Sequence, residues 1–155
     1  MISRTFLVSR MGLLIQLAPT VPQLARSGAT LPRAHYRNQP VTVIAWDGQT
    51  LAADRLCSFG DGTFCEVTKI FRRELDGVIY GVAGSGPQLQ AVQDWFEHGG
   101  NPSSYPEITG EGNHIELLCI GLDGKIKLLL NGPHPSVVES KQFAIGCASE
   151  AALVL

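Results

Sequence analysis

At 155 residues the chain has room for one ordinary domain with a real core. Its 45% hydrophobic and 17% charged residues exclude a disordered or fibrous chain. A formal net charge of -2 gives no general case for nucleic acid or acidic partners. The charge is unevenly divided, however. Residues 1–40 carry five arginines (Arg4, Arg10, Arg26, Arg33, Arg37) and no acid, whereas all 14 acidic residues lie beyond them. Such a split marks two segments of different character, with the boundary near residue 41.

The first segment opens with "FLVSRMGLLIQLAPTVPQLA", apolar in patches but interrupted by Arg10. No uncharged run approaches the ~20 residues that a membrane span needs. Arginine and serine without acids are the composition of a transit peptide, and "MGLLIQLA" resembles a short signal core. "TVPQLARSGATLPRAHYRNQP" has three prolines and no sustained period, and reads as unstructured. A targeting peptide, a removable propeptide and translated upstream sequence from a misplaced start codon all fit this composition.

From Val41 the pattern becomes regular. "VTVIAW" and "QTLAAD" are β-rich runs joined by Asp47-Gly48, a two-residue hairpin signal. "GTFCEVTKIFR" is expected as one half-buried strand, and "GVIYGVAGSG" as a buried strand ending in glycines. A helix follows over "QLQAVQDWFEH", with Ser85 as a candidate N-cap, Pro87 in its first turn and Gly99-Gly100 closing it. Leu89, Val92, Trp95 and Phe96 recur at helical spacing and are expected in the core. "NPSSYPEITGEGN" is a loop, and "HIELLCIGLDGKIKLLLNG" a second hairpin turned at Asp123-Gly124. "SKQFAIGCASEAALVL" supplies a short strand, a tight glycine turn and the first turns of a helix. Antiparallel hairpins with added helices make an α+β layered domain without internal repeats.

The four cysteines (Cys57, Cys65, Cys119, Cys147) lack zinc-ligand spacing. Cys119, in the apolar run "IELLCIG", is expected to be a buried free thiol, and a reducing cytoplasmic setting fits best. Three other residues are out of pattern. Asp54 ends an apolar strand, Lys69 sits beside Ile70, and Gly84 closes a strand before a helix, where a backbone N–H can face an anion. Each has a plain alternative as a turn cap, a solvated strand residue or a tight connection.

Together with Thr42 these residues form an ordered set: "TVIAWDGQTLAAD", "KIFR", "GVAGSG" and "FAIGCA". The set resembles the proteasome β-subunit superfamily of N-terminal-nucleophile hydrolases, most of all its small bacterial and phage HslV-like peptidases. That resemblance implies an αββα sandwich of antiparallel sheets flanked by helices over 42–155. It implies Thr42 as nucleophile, its own free α-amine as base, Lys69 beside its Oγ, and Asp54 pairing the ammonium. By the same resemblance the Gly84 N–H donates to the oxyanion, and Ser58 takes the place of a residue that contacts substrate backbone. The substrate would be a peptide or unfolded protein, the assembly a homo-oligomeric ring, and an ATPase unfoldase a further partner. No metal or organic cofactor is implied.

A threonine nucleophile of this kind must be N-terminal, because an amide nitrogen is no base. Val41 stands where the family's initiator methionine precedes threonine, so a true start at residue 41 is one expectation and a removable 1–41 extension another. Two departures from the pattern are expected to matter. Cys147 replaces the serine of the family's turn and is the weaker hydrogen-bond partner. "CASEAALVL" also stops short of the family's remaining helices and strands, which implies a truncated domain with open sheet edges. A catalytically inactive assembly subunit, or a remnant of such a protein, is therefore the alternative to an active peptidase.

Overall fold

The structure, a computed structural model, describes residues 6–9, 14–15, 42–58, 63–84 and 88–153. In chain order the strands are β1 (Phe6–Ser9), β2 (Leu14–Ile15), β3 (Ile44–Trp46), β4 (Thr50–Ala53), β5 (Leu56–Ser58), β6 (Phe64–Glu66), β7 (Ile70–Arg72) and β8 (Ile79–Gly84). Helix α1 (Leu89–Glu97) follows, with a 3-10 turn at Pro102–Ser104. Then come β9 (Ile115–Ile120), β10 (Ile126–Leu130), β11 (Ser136–Val138), β12 (Phe143–Ile145) and the short α2 (Ser149–Ala152).

All strand pairs are antiparallel. One five-stranded sheet has the order β12-β3-β4-β1-β2, the other β11-β10-β9-β8-β7, and β5 and β6 form a separate ribbon. Alternation along each strand decides what lies between the two large sheets. Ile44, Trp46, Leu51, Ala53 and Ile145 of the first sheet meet Ala83, Leu118, Ile120 and Ile126 of the second in one buried cluster. Each fully buried Leu or Ile there contributes roughly 1.5–3 kcal/mol relative to exposure. On the other face of the second sheet, Tyr80, Val82, Leu117 and Leu129 pack against Val92, Trp95 and Phe96 of α1. The described residues thus build an α+β molecule: sheet on sheet, with a helix outside the second sheet.

The expected apolar helix face is confirmed, with Val92, Trp95 and Phe96 buried and Leu89 packed at its margin. Gly99 and Gly100 end the helix through N–H bonds to Phe96 O and Trp95 O. Ser85 and Pro87, like residue 41 and the proline-rich stretch after Ile15, lie outside the described residues.

Three expectations are corrected. The two-residue turn of the first hairpin is Gly48-Gln49, not Asp47-Gly48; Asp47 N–H donates to Thr50 O, and its carboxylate accepts from the N–H groups of Gln49 and Thr50. The loop of the second hairpin spans three residues, because Gly121 and Lys125 still pair and Gly124 N–H returns to Gly121 O. "GTFCEVTKIFR" is not one strand. It changes partner, β6 pairing with β5 and β7 with β8, and residues 67–69 make the crossing. Apart from these, β4 has a neighbour on each side: it pairs with β3, and Phe6↔Ala53 through Ser9↔Thr50 pair it with β1 of the extension.

Candidate active site

Lys69 stands at the end of the crossing between the ribbon and the second sheet. Its carbonyl accepts from Val82 N–H of β8 at 3.0 Å, which fixes the backbone and turns the side chain inward. Lys69 is 8% exposed, the one buried charged residue among those described. An ammonium so placed costs several kcal/mol in lost hydration unless its protons find acceptors. Three acceptors are present: Asp54 Oδ2 at 2.9 Å, Leu56 O at 2.7 Å and Thr42 Oγ1 at 3.1 Å. A lysine ammonium has three N–H donors, and all three are used. The three contacts hold the Lys69 nitrogen beside Thr42 Oγ1.

Asp54 follows β4 and is held from several sides. Its Oδ1 accepts from Val43 N–H at 2.8 Å and its Oδ2 from Leu56 N–H at 3.1 Å. Its own N–H donates to Val43 O at 3.2 Å. The carboxylate therefore locks the residue after Thr42 to the start of β5 while it pairs with the ammonium. Thr42 sits between this group and the turn after β12. Its N–H donates to Cys147 Sγ at 3.2 Å, and Cys147 Sγ returns a bond to Thr42 O at 3.7 Å.

That turn fits only because residue 146 is glycine. Gly146 has φ +90°, and a Cβ there would stand 2.2 Å from Thr42 O. Its N–H donates to Glu116 Oε2 at 2.7 Å, and the other oxygen of Glu116 meets His114 Nε2 at 2.9 Å. Gly84 ends β8 two residues beyond Val82, with φ +145° and no space for a Cβ, which would lie 2.1 Å from His114 O. Ser58 closes β5, two residues beyond the Leu56 carbonyl and opposite Phe64.

Thr42, Asp54, Lys69 and Cys147 are thus brought together in direct contact. Gly84 and Ser58 are placed on the strands that border them. Sequence reasoning missed two members: the Leu56 carbonyl, which has no side-chain signal, and Glu116. Glu116 did carry a signal, a carboxylate inside the apolar run "HIELLCIG", the same anomaly that drew attention to Asp54. No protein-family model matches the chain, and neither does any curated protein. Among the described residues there is no group of three or more His, Cys, Asp or Glu able to hold a metal ion. No described helix is long and apolar enough to cross a membrane.

Proposed function

We infer that this centre is that of a threonine-type endopeptidase of the proteasome and HslV kind, competent when Thr42 is the N-terminal residue. The observation that carries the reading is the Lys69 ammonium, shared among Thr42 Oγ1, Asp54 Oδ2 and Leu56 O. A hydroxyl beside a fixed, desolvated cation gains alkoxide character. A free α-amine on Thr42, with an unperturbed pKa near ~8, supplies the base.

In the proposed cycle Thr42 Oγ1 attacks the scissile carbonyl and its proton passes to the α-amine. The Gly84 N–H donates to the oxyanion, an interaction worth roughly 3 kcal/mol in other acyl-transfer enzymes. The ammonium so formed protonates the leaving amine, and water, deprotonated by the same amine, cleaves the ester. The αββα architecture, a peptide or unfolded-protein substrate, a homo-oligomeric ring, an ATPase unfoldase partner and a cytoplasmic setting belong to this reading. Ser58, the last residue of β5, would contact substrate backbone.

A second reading, a non-catalytic subunit, draws on the partner of the Thr42 nitrogen: a thiol at 3.2 Å, where the family pattern has a serine. Hydrolysis of a fluorogenic peptide library separates the two. The protein with a free Thr42 amine should cleave and its Thr42→Ala variant should not. Equal, background-level rates in both would leave the subunit reading.

A further inference from the structure

Beside the Thr42 centre the structure holds a second pair of nucleophilic side chains. Cys57 and Cys65 face each other directly across the β5–β6 ribbon. Two residues along, Val67 N–H donates to Arg55 O at 2.8 Å, which by alternation puts Cys57 and Cys65 at a hydrogen-bonded position. Opposed Cα atoms at such a position lie about 5.5 Å apart, inside the roughly 4.4–6.8 Å of a disulfide. Closing the bond draws the Cβ atoms in from about 5.5 Å to about 4 Å, a strain that makes the bond readily reducible. Both thiols are free and half-buried, so part of each stays open to a small reagent.

We propose that Cys57 and Cys65 form a reversible dithiol–disulfide site that reacts with low-molecular-weight disulfides. One cysteine thiolate attacks the small disulfide, whose S–S bond breaks and releases one small thiol. The second cysteine then attacks the protein sulfur of the mixed disulfide, the Cys57–Cys65 bond forms, and a second small thiol leaves. The cysteines lose two electrons and two protons; the small disulfide, reduced to two thiols, gains both. Burial first, and then the facing Cys65 thiol, push Cys57 above the usual thiol range, so its attack quickens as pH rises.

The position of the pair gives the bond a consequence. Cys57 follows Leu56, whose carbonyl holds Lys69 at 2.7 Å, and β6 runs on through residues 67–68 to Lys69 itself. A closed disulfide braces both stretches that position the ammonium. The site stands on the geometry of the ribbon and is independent of any peptidase activity.

The test uses the full chain equilibrated at pH 8 with increasing ratios of oxidised to reduced glutathione, then alkylated and digested with trypsin. Cys57 and Cys65 fall in one peptide, 56–69, between Arg55 and Lys69. The expected product is that peptide about 2 Da lighter, with no alkyl group and no glutathione. In Cys65→Ser the reaction should stop with one glutathione on Cys57. The proposal is overturned if peptide 56–69 from the unsubstituted chain keeps two alkylatable thiols, or stops as a mixed disulfide, at ratios where exposed Cys147 carries glutathione.

Discussion

Gly146 lies so close against Thr42 that a Cβ on it would come within 2.2 Å of the Thr42 carbonyl oxygen. The position of the candidate nucleophile is therefore set from two sides, by Lys69 at its hydroxyl and by the Gly146 turn at its backbone. Replacing Gly146 by alanine adds both that clash and a side chain at φ +90°. Strain of this kind costs on the order of 1–3 kcal/mol. The expected outcome is a fall in melting temperature of roughly 3–10 °C, read by thermal denaturation. An unchanged melting temperature would mean that the turn does not pack on Thr42 as described.

Asp54 and Lys69 should fail singly and recover together. Asp54→Ala strands a buried ammonium and frees two backbone N–H groups, and is expected to cost about 3–5 kcal/mol. Lys69→Met removes the charge that needs a partner, so adding it to Asp54→Ala should restore a substantial part of the loss. A double-mutant cycle by urea unfolding measures the coupling, and additive losses would contradict a shared ion pair.

How much of this was legible in the chain depends on the residue. The apolar spacing of Val92, Trp95 and Phe96 announces the helix face, because one stripe of α1 meets one sheet. Asp54 was visible as a carboxylate closing an apolar strand. Lys69 was visible only as a lysine beside Ile70, and its burial was not, because local alternation cannot show that a strand leaves one partner for another. The pairing of β1 with β4 joins residues more than forty positions apart and leaves no local trace. β11 is three residues long, too short for any period to register. The contacts of Thr42 with Lys69 and Cys147 were reached through a likeness to a family, since no spacing predicts contacts across 27 and 105 residues.

Cys147→Ser tests the weak point of the site. A serine hydroxyl in that position is a better partner for the Thr42 nitrogen than a thiol is. A neutral hydrogen bond is worth about 1 kcal/mol, so peptide hydrolysis by the protein with a free Thr42 amine should rise up to about fivefold. A fall would show that the thiol itself contributes.

The Arg73–Asp76 pair gives stability a defined acid dependence. The bidentate hydrogen bond from Arg73 holds the Asp76 carboxyl below its ordinary range. A carboxylate lowered in the folded state stabilises above its unfolded pKa near ~3.9, and that contribution disappears as pH falls through the folded value. Arg73 also donates to Phe96 O at 3.1 Å and lies over the Phe96 ring at 4.1 Å, so the pair ties the β7–β8 turn to the end of α1. Asp76 is partly exposed and the effect modest. In Asp76→Asn, melting temperature should lose less than the unsubstituted chain does between pH 5 and pH 2.5; parallel curves would rule the contribution out.

The most direct measurement is the intact mass of the protein with a free Thr42 amine after treatment with a peptide epoxyketone, which needs both the hydroxyl and the α-amine of one threonine. The account predicts a single adduct on Thr42, absent from Thr42→Ala and strongly slowed in Lys69→Met. A cooperatively melting protein that begins at Thr42 and stays unmodified would contradict it.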